Sequence, residues 1–370
     1  MRFAFALYRY FPHGGLQCDM LRMAQEAVSR GHTVDIFCHQ WRGDVPAGLN
    51  VILLPARGLT NQGKMASFER SFQEALSKRP SCDTVVTFNR IKGGDFYFAA
   101  DNCLAVEWKQ KHSPLQLKLN PRYRKFLEME AGVMAQPDCR IFYIVNRQKE
   151  EYQKAYNIPD ERFIYLPPGM NTAYRRPDNA LEIRQKMRKE LGLADDEIML
   201  LQVGSDFHRK GNDRLLHAAA SLPENLRKKI RIFMVGSCSP GVCGKLAVSL
   251  GLADRVCFTG GRNDVPDFLQ AADLMIHAAR SESAGNVIIE AIAAGLPVVT
   301  SYVCGFGNYP AEVDPALVIG EKFEQSELNA AVLYTLNNLD ELKNKTIVYG
   351  SKADFYRRAQ VAVDHMEKKQ

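Results

Sequence analysis

The sequence predicts an α/β protein built from two Rossmann-like domains, and three observations carry that expectation. At 370 residues the chain exceeds the usual size of one compact core, so two domains of ordinary size are expected. Short apolar, β-rich runs alternate with longer segments of helical period, the βαβ signature of a parallel sheet. The alternation pauses once, at Leu166-Pro167-Pro168-Gly169, where two prolines remove backbone donors and a glycine permits a turn, and then resumes.

Taken in order, the first half gives a strand over Arg2–Leu7, a helix over Gly15–Ser29 and a strand over Thr33–Cys38. Strands follow at Val51–Leu54, Thr84–Phe88 and Arg140–Val145, with helices near Lys64–Ser77 and Arg122–Met134. This is the N-terminal domain, residues 1–168. The second, residues 169–350, repeats the alternation, with strands at Ile198–Val203, Ile230–Val235, Val256–Phe258, Leu274–His277 and Pro297–Thr300. After Ser351 the run KADFYRRAQVAVDHMEKK has an apolar side through Phe355, Ala359, Val361 and Val363. It reads as a closing helix over 351–370 that packs back on the N-terminal domain. Two such domains are expected to face each other across a cleft where strand C-termini and helix N-termini converge on one ligand.

Composition narrows the function. Hydrophobic content of 46% with 24% charged residues is that of a folded globular chain, and no stretch is of low complexity. Nine cysteines without paired spacing argue against a disulfide framework and for a reducing cytoplasm. Cys238 and Cys243 lack the second Cys or His pair of a zinc site, so no metal is expected. No uncharged run approaches the roughly 20 residues needed to span a bilayer, and Arg9 interrupts MRFAFALYRY before it can serve as a signal core. A formal charge of +6 is too small for a general nucleic-acid coat, so no nucleic-acid partner is expected; a local basic patch remains compatible with it.

Three loops carry residues suited to an anionic ligand. In the first βα turn, Gly14 and Gly15 let the backbone approach a bulky group while helix N–H groups point towards it. The turn lacks G-x-G-x-x-G, which counts against an NAD dehydrogenase. Asp19, one turn further on, is either a ligand contact or an exposed helix residue. In the second half LLQV runs into Gly204 and then Ser205-Asp206-Phe207-His208-Arg209-Lys210-Gly211 before a helix. Arg209 can fork two phosphate oxygens while Lys210 adds a compact charge, which suits a diphosphate; the plainer alternative is a solvated basic loop.

The third loop, SESAGNVIIE over 281–290, sets Glu282 and Glu290 eight positions apart across a glycine. A helix starting near Ala284 or Gly285, with Asn286 in its first turn, points free N–H groups at an anion. Glu282 then lies before the helix and Glu290 about one and a half turns inside, about 12 Å away if the whole span rises helically. That separation is comparable with a nucleotide sugar: one carboxylate for sugar hydroxyls, the other for ribose hydroxyls, the helix terminus for the diphosphate. The alternative is an amphipathic helix with two solvated acids, but Glu290 falls in the apolar Val287–Ile292 run, where an unpaired carboxylate is costly.

Gly-Gly after the first strand, RKG, GGRND at Gly260–Asp264 and E-x7-E together resemble the GT-B glycosyltransferases of family 4, over nearly the whole chain. The strings LYRYFPHGGLQ, FYFAAD, LLQVGSDFHRKG, TGGRND and EAIAAGLPV look like the members that build the lipopolysaccharide core. The resemblance implies retaining, metal-independent transfer of a hexose from a UDP-hexose or UDP-N-acetylhexosamine to a heptose of that core. The UDP-sugar is then a cosubstrate and no cofactor is needed. It further implies that Glu282 contacts the donor sugar, Glu290 the ribose, Arg209 and Lys210 the diphosphate and its leaving charge, and Arg262 the nucleotide. Gly14 and Gly15 would approach the donor from the other domain. Relatives often carry a histidine after the middle strands, where FAAD offers Asp101; that residue orients the acceptor hydroxyl, contacts the donor sugar, or serves only as a strand-end aspartate.

Between Trp108 and Phe126, WKQKHSPLQLKLNPRYRKF interleaves six Lys or Arg with aromatic residues and leucines and has no acid, which suits an anionic lipid surface. The expected location is therefore cytoplasmic, peripheral on the inner face of the bacterial inner membrane, although an exposed basic loop has the same composition. Two rival functions remain: a nucleotide-sugar epimerase of the same architecture, and a noncatalytic membrane-associated sugar-nucleotide-binding protein. Ser281, Ser283 and Asn286 beside Glu282 leave the hexose open.

Overall fold

The computed structural model describes residues 1–12, 14–79 and 81–369; His13 of the first βα turn and Gln370 of the expected closing helix lie outside them. The chain forms two compact units, one of Met1–Gly169 together with the stretch from Tyr356 onward, the other of Met170–Phe355.

In the first unit the strands are β1 (Arg2–Ala6), β2 (Arg9–Tyr10), β3 (Thr33–Cys38), β4 (Gln40–Trp41), β5 (Leu49–Leu53), β6 (Thr84–Thr87), β7 (Phe96–Ala99), β8 (Arg140–Tyr143) and β9 (Phe163–Tyr165). Seven of them make a parallel sheet in the order β5-β3-β1-β6-β7-β8-β9, while β2 and β4 form a short parallel ribbon beyond the ends of β1 and β3. Strands covered on both faces read as continuous apolar runs, and all four residues of β7, FYFA, are buried. That run is too short to announce itself by periodicity, and β7 and β9 were not among the expected strands. Phe37, Phe68, Phe72 and Met129 pack one core cluster between sheet and helices. The helix Asn61–Ser77 starts three residues earlier than its apolar period, because the Thr60 hydroxyl accepts from the Gly63 N–H and caps it.

The second unit carries β10 (Ile198–Val203), β11 (Ile230–Val235), β12 (Val256–Gly260), β13 (Leu274–His277), β14 (Val298–Ser301) and β15 (Val318–Ile319). They form a parallel sheet in the order β12-β11-β10-β13-β14-β15, so the strand order reverses beside β10 and β13. Loops leaving the C-terminal ends of those two strands meet at this switch point, which is where doubly wound sheets bind ligands. Leu200, Ile232, Leu274, Ile276 and Val299 anchor the core beneath.

The expected closing helix is two pieces. One helix, Leu339–Lys352, ends in the second unit, and after an irregular stretch another, Arg358–Glu367, belongs to the first. Arg358 explains the return: its side chain is 2% exposed, bonds Asp19 at 2.6 Å and donates to the Pro167 carbonyl at 3.0 Å. Asp19 is thus a buried ion-pair partner rather than an exposed helix residue. Burial pushes its carboxyl up, against the opposing pull of the Arg358 charge.

Candidate active site

At the end of β10, Gly204 turns with φ +148° and its N–H bonds the Val235 carbonyl. Seven residues later Gly211, at φ +75°, lies so close to the Ala278 carbonyl that any side-chain carbon there would strike it. The loop leaving β10 is thereby pressed against the loop leaving β13. Arg280 stitches them further, with both guanidinium nitrogens on Asp213 at 2.7 and 2.6 Å and a third bond to the His208 carbonyl at 2.8 Å.

This stitching brings the basic pair to the first glutamate of the E-x7-E stretch. Lys210 Nζ bonds Glu282 Oε2, and Arg209 stands 3.7 Å from the same oxygen while donating to the Ser281 carbonyl at 3.1 Å. From below, His277 Nε2 approaches Glu282 Oε2 at 3.4 Å. His277 is fully buried at the end of β13, and burial pulls its pKa below the ordinary value, so the neutral ring's Nε2–H donates. Burial pushes the Glu282 carboxyl up, yet the His277 hydrogen bond and the Lys210 charge outweigh it and bring the group to about 2. Glu282 is an anion at any physiological pH.

Beyond Glu282 the chain turns through buried Ala284 to Gly285, at φ +86°, and the helix begins at Asn286. The turn is pinned by the Phe306 N–H donating to the Ala284 carbonyl at 2.8 Å. Only Asn286 to Glu290 is helical in the motif, so the rise of about 12 Å over eight helical residues does not apply; the helical part contributes about 6 Å. Glu290 is half-buried on this helix. Gln202 Oε1, His277 Nδ1, Asn286 Oδ1 and both amide atoms of Asn212 are buried without a hydrogen-bond partner among the described residues. Each such atom costs about 1–3 kcal/mol, so their concentration on the elements framing one loop pair marks a polar binding surface rather than a packed core.

Arg262 lies just past β12, clasped by Asp264 at 2.8 and 2.5 Å and largely exposed. The remaining candidates belong to the first unit. Gly14 precedes the helix Gly15–Ser29, and a side-chain carbon there would have to displace the ends of the Gln17 and Phe11 side chains. Asp101 follows β7, 72% exposed, with Arg90 at 3.6 Å.

Sequence reading missed two supports. His277 ends an apolar strand five residues before Glu282, a polar residue where burial was certain. Glu130 sits on the buried side of the helix Pro121–Met134 beside Met129 and Val133, a position that demands partners. It accepts from Arg90 at 2.8 Å, from the Leu104 and Ala105 N–H groups at 2.9 and 3.0 Å, and from the Tyr156 hydroxyl at 2.7 Å. Arg90 in turn donates to the Asn102 carbonyl at 2.8 Å, so this buried carboxylate holds the loop that carries Asp101.

Comparisons agree with this architecture. Residues 183–353 match the family model described as glycosyl transferases group 1. The lipopolysaccharide glucosyltransferase WaaG of Escherichia coli K12 is 41% identical over 88% of this chain and 87% of its own length. A crystal structure of WaaG superposes with a TM-score of 0.89 at 38% identity, covering 99% of this chain and all of the other. Sucrose-phosphate synthase from Thermosynechococcus elongatus, at 19% identity, shares the fold with a TM-score of 0.75 over 99% of this chain and 97% of its own. With two parallel α/β units, a carboxylate-centred polar site after β13 and identity of this extent, the chain belongs to the group 1 glycosyl transferases of GT-B fold, the family of WaaG.

Proposed function

We propose that the protein is a retaining transferase that moves a hexose, or an N-acetylhexosamine, from a UDP-sugar to a heptose of the lipopolysaccharide inner core. The observation that carries this reading is the Glu282 carboxylate held between Lys210, Arg209 and His277 at the entrance to the helix Asn286–Ala293. A carboxylate fixed as an anion accepts from sugar hydroxyls, while two adjacent cations and a helix N-terminus take the charge of a diphosphate. In this reading Glu290 holds the ribose and Arg262 the nucleotide, and Gly14 and Gly15 give the donor backbone access.

The proposed chemistry is front-face attack. The acceptor hydroxyl oxygen bonds the anomeric carbon as the bond to the β-phosphate oxygen breaks, and the departing phosphate takes the hydroxyl proton. Arg209 and Lys210 stabilise that leaving charge in the role a metal ion plays elsewhere, which makes the reaction metal-independent. Asp101, tethered by Arg90, contacts the sugar or the acceptor hydroxyl.

The acceptor would be met at the membrane. Three helices, Leu104–Lys111, Pro114–Leu119 and Pro121–Met134, carry the basic segment, with Leu115 and Leu119 exposed and Trp108 packed on Tyr123 at 4.9 Å. No helix among the described residues is long and apolar enough to cross a membrane. In this reading the basic segment lies on the membrane surface.

A panel of UDP-sugars offered with deacylated heptose-containing core, read by mass spectrometry, tests the whole reading. A product heavier than the acceptor by one hexose or N-acetylhexosamine is expected. A changed free nucleotide sugar without acceptor product identifies an epimerase, and binding without turnover identifies a sensor; either result overturns transfer.

A further inference from the structure

The foot of the second unit's sheet, opposite the loops that carry Lys210 and Glu282, gathers four cations around one acid. Asp273 stands just before β13 with its side chain 7% exposed. Its Oδ1 accepts from Arg184 Nη2 at 2.5 Å, with Lys343 Nζ at 3.8 Å, and its Oδ2 accepts from Arg188 Nη1 at 3.1 Å and from the Met199 N–H at 2.8 Å. Arg184 and Lys343 face the same oxygen, so they are no further apart than those two distances laid end to end. Arg176 joins the group through Gln270: it donates to the side-chain oxygen at 3.0 Å, while Arg184 lies 3.4 Å from the same residue's carbonyl. Among the described residues no carboxylate other than Asp273 pairs with any of these four cations.

The four are not alike. Arg188 is 9% exposed and its terminal nitrogens are taken by Asp273 and by the carbonyls of Ala194, Glu197 and Ala271, which makes it the structural counter-ion of Asp273. Arg184 spends one terminal nitrogen on the Ala271 and Ala272 carbonyls at the end of the helix Val265–Ala271, and the other on Asp273. Its Nε makes no hydrogen bond among the described residues, and neither do Nε and Nη2 of Arg176. Lys343 makes none at all, although its side chain is only 23% exposed. These unspent nitrogens are open to solvent rather than sealed in the core. Burial pushes the Lys343 pKa down, and the charges of Arg184, Arg176 and Arg188 push it the same way against Asp273; burial and Arg184 lower Arg176 as well. An ammonium drawn from water without an acceptor, among like charges, destabilises the fold until an anion joins it.

We propose that Arg176, Arg184 and Lys343 form a binding site for a phosphate-type oxyanion, separate from the site around Glu282. Two guanidinium edges and an ammonium match the several oxygens of a tetrahedral oxyanion, and inorganic phosphate and a phosphate monoester share that recognition chemistry. The four residues of β13 rise about 13 Å between Asp273 and the Glu282 loop, so the two sites stand at opposite ends of one strand and the inference does not depend on the transferase reading. The anion sits at the lower ends of β10 and β13, which Asp273 ties together through the Met199 N–H and whose upper ends carry Lys210 and Glu282.

The test is calorimetric titration and thermal unfolding of the full chain with inorganic phosphate and with methyl phosphate, ionic strength being held constant with chloride. Phosphate near saturation should raise the parent's unfolding midpoint by about 2 °C or more. In Lys343→Met the dissociation constant should rise about tenfold or more, the loss of one charge-assisted contact, and in Lys343→Arg it should stay within about threefold of the parent's. Lys210→Ala, altered at the other end of the strand, should keep the parent's affinity within about twofold. In chloride alone Lys343→Met should unfold at the parent's midpoint or above it, because an ammonium without a hydrogen bond is removed from among like charges. Methyl phosphate binding as tightly as the free ion names a monoester, and weaker binding of the ester names inorganic phosphate. If Lys343 were only a counter-ion of Asp273, Lys343→Met would unfold lower in chloride and in phosphate alike. That result, no phosphate effect on the parent, an unmoved affinity in Lys343→Met, or a loss confined to Lys210→Ala each overturns the site.

Discussion

Each unit buries a glutamate beside an arginine or lysine, and the two are built for opposite ends. Glu130 is fully buried and saturated: a guanidinium, two helix N–H groups and a tyrosine hydroxyl fill its lone pairs. Glu282 keeps 12% of its side chain exposed and takes its charge partners on one oxygen, from residues at the mouth of two loops. A saturated carboxylate is a structural rivet, because moving any partner strands another. A one-sided carboxylate with flexible cations has capacity left for a ligand. The difference teaches that the number and rigidity of donors, more than burial or charge, separate support from function.

The contrast can be broken most severely at Lys210. Lys210→Ala should lower turnover by about 10²- to 10³-fold, as for loss of transition-state charge stabilisation, with the fold retained although Glu282 loses one of its partners. Near-normal turnover would remove Lys210 from the chemistry. Glu130→Ala should do the reverse and cost about 3–5 kcal/mol of unfolding free energy in urea, because Arg90 is left buried without its carboxylate. Glu130→Gln, which keeps the shape and an acceptor, should lose less; equal losses in both would deny the charge its part.

A pH series sharpens the comparison. The Glu282 carboxyl, at about 2 in the folded chain against an ordinary 4.5, is stabilising above pH 4.5 and loses that contribution as pH falls towards 2. The stability gap between the parent and Glu282→Gln should therefore be flat above 4.5 and shrink below it, by roughly 3 kcal/mol in full. Identical acid slopes for the two proteins would show that the carboxylate is not held as described. The smallest effect on stability is expected at Asp101→Asn, within about 0.5 kcal/mol, since the Asp101 side chain is itself exposed and Arg90 keeps Glu130. Its transfer rate should nonetheless fall about tenfold if the side chain meets a reacting sugar, and an unchanged rate would make it a strand-end aspartate only.

Much of this was legible in the residues. The alternation of runs such as TVDIFC and IRIFMV with amphipathic helices marks two parallel sheets, because parallel strands buried on both faces have to be apolar throughout. Four-residue FYFA and two-residue Val318–Ile319 escaped, being too short for any period to show. The RKG loop and the E-x7-E stretch were visible as separate strings; their meeting through Lys210 and Glu282 depends on strand order, which local sequence does not encode. Asp19 was misread because its partner Arg358 lies 339 positions away. Glu130 escaped because its partners come from three other segments.

That long reach has a consequence for how the protein is made. The first unit takes residues from both sides of the second along the chain, so it remains unfinished while the second unit emerges and folds. Until Arg358 leaves the ribosome, Asp19 has only Arg22, at 3.8 Å, to offset its burial, and the surface that the helix Arg358–Glu367 covers stays open. A chain terminated before Arg358 would thus display a wet, incomplete face on its first unit. The first unit can close only after the segment that follows the second unit has been made.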